Sequence, residues 1–397
     1  MRTTVAIVGA GPAGLVVAHL LRRADIDFVL LERRPRTALS AHPKAGLIEH
    51  RTVRLLEAAG IAGPVLEFAA ENGRCEFRTT DGSTVLDYAT ITGNRPHYVY
   101  PQHLLVDRLC ASLDSGGAAI RYGHEVSGAR QDDDGATLAV TDDSGGSYDI
   151  DCDVAVGCDG ARSAVAAAMT GTRTNEWCLP ARWLVVTGAA APLENHTIYA
   201  AHPNGFAGHM RRGADHTRYY LEVAATDNLS DWPPARIRDE LTIRLGAGSR
   251  LADVRFEDAY LLDLRTRVIE PMQDGRLFLA GDAAHLITPA GGKGMNLAIQ
   301  DAVELASGVI ERFGPRRDGA RLAAYSATRL PAVWRAEAFS SWFLHILLAS
   351  LRDGDEPSYA VPGGFARGIR NGWISAMQTD PLLTNWFSHA YAGVDPD

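Results

Sequence analysis

This chain of 397 residues is short of several things, and each shortage removes a class of function. No stretch approaches the run of about 18 uncharged apolar residues that a membrane-spanning helix needs. The most apolar late run, residues 342–351, is short and interrupted by His345, so it reads as a core or interface helix. Cysteine is sparse: Cys75, Cys110, Cys152, Cys158 and Cys178 are an odd number, with no CxxC or Cys/His ligand spacing. That fits a reducing cytoplasm without a structural metal, and free, buried thiols are expected for all five. Positive charge is in deficit, with a formal net charge of −9. Nucleic acid and anionic membranes select basic faces, so neither is an expected partner. There is no internal repeat or low-complexity tract. The apolar N-terminus is broken by glycines too early to read as a signal peptide.

What the chain does have is apolar bulk, 46% of its residues, enough for a large core spread over two or three domains. The stretch around which it is organised is 280–296, from Gly281-Asp282 through Pro289 to Gly294-Met295-Asn296. A strand over 276–280 runs into it. A helix is expected from Leu297 to Phe313, apolar at 302, 305, 306, 309 and 313. The glycines at 291, 292 and 294 let backbone N–H groups approach a bound group, and a helix N-terminus favours an electron-rich one.

A second stretch lies at the N-terminus. Residues 4–8 are a continuous apolar run, as in a strand buried on both faces. Gly9, Gly11 and Gly14 follow, with Pro12 suited to the first position of a helix. A second strand, 28–31, ends at Glu32. This is the dinucleotide fingerprint: glycines for the turn and close packing, pyrophosphate on the helix N-terminus, Glu32 on the ribose hydroxyls. Arg33, Arg34 and Arg36 are either a solvated charge cluster or a lure for a 2′-phosphate. The third stretch, Gly157-Cys158-Asp159-Gly160 with Arg162, ends another buried strand, where parallel sheets bind ligands. Between them an acidic hairpin is expected, with turns at 132–135 and 142–146. From 183 to about 265 the pattern changes to alternation, in runs at 183–187, 197–200, 205–208 and 218–223, which predicts an antiparallel sheet. After Phe313 the chain reads as helical.

In this order and spacing the three stretches resemble the FAD-dependent aromatic hydroxylases, flavoprotein monooxygenases of the 4-hydroxybenzoate 3-hydroxylase type. The resemblance runs from Thr4 to about Val394. It implies a mixed α/β (α+β) fold: a Rossmann-like FAD-binding domain (1–72, 98–176 and 266–318), an inserted antiparallel substrate sheet (73–97 and 177–265), and C-terminal helices (319–397). It implies FAD as cofactor and NADPH, or else NADH, as donor. The partners would be an aromatic small molecule and O2. A homodimer is compatible with the helical C-terminal third.

The resemblance also assigns roles residue by residue. Gly9, Gly11, Gly14, Glu32, Gln102, Asp159, Gly281, Asp282, Lys293, Gly294, Met295 and Asn296 match cofactor-binding positions. Arg33, Lys44 and Arg162 match positions near the nicotinamide or flavin phosphates, with Lys44 standing where the family usually has arginine. Arg218 matches an arginine near the flavin. For the substrate, Arg212 and Tyr220 match the carboxylate grip. Tyr199 and Tyr391 match the pair that draws off a phenol proton, and Pro289 a proline whose carbonyl faces the phenol. Two departures stand out. Met210 replaces a carboxylate-binding serine and donates nothing. Glu71-Asn72 stands where the family's relay reaches solvent through a histidine. The ring is therefore expected to be 4-hydroxybenzoate or a modified relative such as an amino-hydroxybenzoate, hydroxylated ortho to its hydroxyl, with a salicylate-like or polycyclic ring as alternative. A halogenase would carry Trp-x-Trp-x-Ile-Pro, which is absent. A flavin-free dehydrogenase would not need Gly281-Asp282, and a flavin-binding protein without hydroxylase activity is the remaining rival.

Overall fold

The computed structural model describes residues 1–39, 46–118, 120–348 and 363–394. Lys44 therefore lies outside the described residues. The elements that position the site are, in chain order, β1 (Arg2–Val8), α1 (Pro12–Arg23), β2 (Phe28–Glu32), β3 (Ala70–Asn72), β4 (Cys75–Thr79), β5 (Gly82–Leu86), β6 (His97–Val99), α2 (Gln102–Ser115), β7 (Ile120–Tyr122), β8 (Ser147–Gly157), β9 (Arg173–Ala189), β10 (Thr197–His202), β11 (Gly205–Arg211), β12 (His216–Ala224), β13 (Arg255–Glu270), β14 (Leu277–Leu279), β15 (His285–Leu286), α3 (Gly294–Phe313), α4 (Tyr325–Leu347), α5 (Gly363–Thr379) and α6 (Pro381–Ala392).

One sheet runs β14-β8-β1-β2-β7, all neighbours parallel. β1 and β2 are buried along most of their length, with α1 packed on both strands and α3 against α1, while Val126, Leu138 and Val140 of the hairpin join the same core. This is the expected Rossmann-like unit. The acidic hairpin hangs from β8 with its turns where the sequence puts them.

A second sheet has the order β15-β13-β9-β12-β11-β10-β4-β5. Its expected strands are all present, but two features differ from the sequence reading. The ladder is not wholly antiparallel, because β10 pairs with β4 in parallel. The chain reaches β4 long before it makes β10, so no tight turn forces the two strands to oppose. The boundaries expected at 176/177 and 265/266 also fall inside β9 and β13. These strands pair from Arg173↔Glu270 to Ala189↔Arg255, one long ribbon within the second sheet. Their exposed outer residues hide the alternation near those boundaries.

The helix after the organising stretch starts at Gly294, a turn earlier than Leu297. Glycines argue against helix. Here Asn296 compensates: its side chain donates to Leu47 O (2.9 Å) and Gly292 O (2.8 Å) and accepts from Glu49 N (2.8 Å). All five cysteines are free, but Cys158 is half-buried and Cys178 exposed, against the expectation for both. Cys178 sits where the β9–β13 register slips, between Cys178 and Arg182. No helix of the described residues is long and apolar enough to cross a membrane, and the described residues hold no cluster suited to a metal ion.

Candidate active site

A cleft of about 540 Å³ opens along the C-terminal ends of β1, β2, β8 and β14. That is where open parallel sheets present their ligand sites. It gathers ten of the sequence-predicted cofactor residues: Gly9, Gly11, Glu32, Arg33, Gln102, Asp159, Arg162, Gly281, Asp282 and Met295. Gly9 has φ +102°, and a Cβ there would lie 2.4 Å from Cys158 O. The glycine thus lets the first turn and the Cys158-Asp159 turn touch. Gly14 lies behind them, against Gly9 O. Glu32 is buried at the end of β2. One oxygen accepts from Ala10 N (2.9 Å), the other from Arg34 N (3.0 Å) and Nε (3.1 Å). The Glu32 carboxylate is thereby aimed along the cleft floor.

Asp159 accepts from Ala164 N (2.8 Å) through one oxygen, while its other oxygen is buried with no partner. Burial raises its pKa, against the hydrogen bonds from Ser163 and Ala164. An orphaned acceptor in a cleft of adjoining backbone turns suits a ligand rich in hydroxyls and N–H groups. These residues fit FAD: a glycine turn and helix N-terminus for pyrophosphate, Glu32 for ribose, and Gly281-Asp282 for the ribityl end.

Besides Gly14, four predicted cofactor residues among the described residues stand outside the cleft lining. Gly294 and Asn296 belong to the first turn of α3, and the Asn296 side chain is spent on the loop 47–49. Lys293 is buried, and its Nζ donates to Glu49 (2.8 Å) and Tyr391 O (2.8 Å). It ties the organising stretch to the loop after β2 and to α6. Glu49 gave no signal in the sequence, since only the fold brings it across 244 residues. Removing one partner of a buried ion pair strands the other charge. Lys293→Met is expected to cost about 3–5 kcal/mol of stability, read as a lower thermal midpoint. Arg218 lies beneath the second sheet, almost wholly buried, with Nη1 donating to the Tyr260 hydroxyl (3.2 Å) and Nη2 to Thr187 (3.3 Å).

The underside of the second sheet carries the predicted substrate residues. Ladder register puts Tyr199, Gly208, Tyr220, Val185 and Tyr260 in one row across five strands. Neighbouring strands lie about 4.8 Å apart, and Gly208 puts no side chain between the two tyrosines, so the Phe206 and Tyr220 rings close over its backbone. A Cβ on Gly208 would meet Phe206 at 3.0 Å and Tyr220 at 3.1 Å. One step along, Met210 faces Arg218. Met210, Arg211, Arg212 and Arg218 meet with Gly46, Val99 and Pro101 around a small gap. Burial and then the Arg218 charge bring the Arg212 pKa down to about 10.

At the other end the Tyr199 and Tyr391 hydroxyls are 2.9 Å apart and buried. Burial raises both phenols well above their ordinary value. Pro289 is half-buried in the same stretch as Ala290, which packs in the cluster holding Tyr199, Tyr220 and Tyr391. Its carbonyl accepts from Gly292 N (3.1 Å). Glu71 is exposed and the Asn72 side chain donates to Thr197 (3.0 Å). Tyr391 instead packs against Tyr88 and His97, the residue opposite Asn72 in the β3–β6 register. Burial and the Lys293 charge lower the His97 pKa to about 3, so its ring stays neutral.

The chain matches the family model described as FAD binding domain over residues 2–340. It is 34% identical over 352 residues to a p-hydroxybenzoate hydroxylase of Acinetobacter baylyi, covering 87% of this chain and 86% of the relative. The chain belongs to the FAD-dependent aromatic hydroxylases. Within this family it is also 32% identical over 320 residues to a 12-dehydrotetracycline 5-monooxygenase/anhydrotetracycline 6-monooxygenase of Streptomyces rimosus, covering 77% of this chain and 62% of that longer relative. Its fold matches that of a p-nitrophenol 4-monooxygenase of Pseudomonas putida, with a TM-score of 0.84 at 20% identity and full coverage of both chains. It is thus a flavin-dependent aromatic monooxygenase with the mixed α/β fold the sequence implies.

Proposed function

We propose that this hydroxylase acts on a single-ring phenolic carboxylate, 4-hydroxybenzoate or an amino-substituted relative, inserting oxygen ortho to the hydroxyl with NADPH, or else NADH, as donor. The observation that carries the proposal is the polarity of the sheet underside: guanidinium groups at one end of a glycine-floored row and a tyrosine hydroxyl pair at the other. Arg212 and Arg218 lie close enough to lower the Arg212 pKa, and a carboxylate relieves that repulsion. A neutral polycycle offers no such relief. The 34% identity to a p-hydroxybenzoate hydroxylase supports the same reading.

Each residue then has a task. Arg212, with Tyr220 beside it, anchors the carboxylate. The ring lies along the row between Arg212 and Tyr199. Tyr199 accepts the phenol proton as it passes its own to Tyr391, and Tyr391 passes one on toward solvent, which leaves the ring carbon beside the hydroxyl electron-rich. Pro289 borders the ring from the cofactor side. Met210, apolar where a hydroxyl would serve a plain carboxylate, packs against a ring substituent, which favours the amino-substituted acid. The bound FAD supplies the redox chemistry, hydride acceptance and activation of dioxygen. Arg33 and Arg162, exposed at the mouth of the cleft, attract the nicotinamide phosphates. Arg212→Ala is expected to raise KM for 4-hydroxybenzoate about 10- to 150-fold, the loss of roughly 1.5–3 kcal/mol from a charged hydrogen bond. Steady-state assays with the acid and with its uncharged amide test this, because the amide should lose far less.

A further inference from the structure

Next to the cofactor turn lies a cluster of buried ionisable groups, none of which lines the cleft. Asp301 on α3 is fully buried. One of its oxygens accepts from Gly281 N (3.1 Å) and meets His285 Nε2 (2.6 Å); the other accepts from Arg329 Nε (2.7 Å). The carboxylate therefore grips both ends of the turn 281–285 and pins it to α4. His285, at 1% exposure, has no partner for Nδ1. Glu337 on α4, at 4% exposure, uses one oxygen on the Thr266 hydroxyl, while Oε1 has no partner. The Thr266 hydroxyl also lies 3.1 Å from Leu286 O, next to His285, so Glu337 meets the end of the turn through β13.

We infer that His285 and Glu337 form a proton-sensitive support for the cofactor turn, which holds FAD more tightly when Glu337 is protonated than when it is ionised. The charges give the sign. Arg329 offsets Asp301, so the net charge of the cluster is set by His285 and Glu337. Burial opposes an imidazolium, but the charge and hydrogen bond of Asp301 outweigh it and hold the His285 pKa above its ordinary value. Burial pushes the Glu337 carboxyl up to about 7, against the Thr266 hydrogen bond and the His285 charge. Thr266 comes from β13, His285 from β15, Asp301 from α3 and Arg329 from α4, the helix that carries Glu337, with Asp282 acting on His285. Arg265 and Arg267 flank Thr266 on the opposite face of β13, one paired with Glu176 and the other donating to Ala161 O and Asp282 O. Asp301 favours the protonated form of His285, and with Glu337 neutral that positive charge stands uncompensated beside a turn that receives an anionic cofactor. Above it, the Glu337 carboxylate cancels that charge.

The test is FAD titration of the apoprotein, followed by flavin fluorescence, between about pH 6 and pH 8.5, a window in which FAD itself does not ionise. The dissociation constant is expected to rise about three- to tenfold across neutrality. Glu337→Gln should flatten the profile at its tight-binding level. Thr266→Val removes a hydrogen bond to the ionised form and should move the midpoint upward. A flat wild-type profile overturns the inference, as does a slope that survives in Glu337→Gln. Should Glu337→Gln fail to fold, an unchanged midpoint in Thr266→Val overturns it equally.

Discussion

Gly9→Ala is expected to deprive the protein of its cofactor. A Cβ at this position would lie 2.4 Å from Cys158 O and 2.7 Å from Cys158 C, both backbone atoms that cannot swing aside. The φ of +102° adds strain for any L side chain. Relief requires the first turn and the Cys158-Asp159 turn to part, and these two turns jointly wall the cleft. The expected result is a folded but colourless protein, with FAD affinity lowered more than about 100-fold, which corresponds to roughly 3 kcal/mol. Absorbance of the purified variant and a fluorescence titration with FAD measure it. Gly82→Ala is the control: its φ is also positive, at +146°, but no atom lies within 4 Å of the added Cβ and the turn is remote from the cleft. It should bind FAD normally.

The second large effect is on turnover. Tyr199→Phe is expected to lower kcat by about 10²–10³-fold, within the range for loss of a positioned proton acceptor. KM should change only a few-fold, because the ring and its packing against Phe77 and Phe343 remain. Both tyrosines are held in the neutral form by burial, so neither works as a standing phenolate at ordinary pH. Each has to receive one proton as it gives up another. The pair thus acts as a unit, and Tyr391→Phe should cost a similar factor, with the double variant little worse than either single one. Two full, independent losses would show that the hydroxyls, though 2.9 Å apart, do not share one task.

Most of the cofactor half of this molecule was legible in the sequence. Glycines at fixed offsets after an unbroken apolar run leave few backbone paths, so Gly9, Gly11, Glu32 and Asp159 converge as expected. The substrate half was legible only through resemblance. Alternation predicts strands but not their register, and register alone puts Gly208 between Tyr199 and Tyr220. Long-range partners were invisible. Glu49 meets Lys293, and Arg329 meets Asp301, because the packing of helices decides it. One signal was available and missed: Asp301 is a charged residue among the apolar positions of a helix that buries most of its length. A buried charge requires partners, and the search for them leads to His285 and Gly281. His97 illustrates the converse. The relay position reads as Glu71-Asn72 in the sequence, yet pairing of β3 with β6 sets a histidine from elsewhere against Tyr391.

The central claim is hydroxylation of a phenolic carboxylate held between arginines and a tyrosine pair. Its most direct test is NADPH oxidation by the purified, FAD-loaded protein with 4-hydroxybenzoate and with 3-amino-4-hydroxybenzoate, scoring hydroxylated product and hydrogen peroxide separately. Ortho-hydroxylated product is expected in proportion to NADPH consumed with at least one of the two acids, with tighter coupling for the amino-substituted acid because Met210 packs against its substituent. NADPH oxidation that neither acid stimulates, or stimulation that yields only peroxide with both, would contradict it.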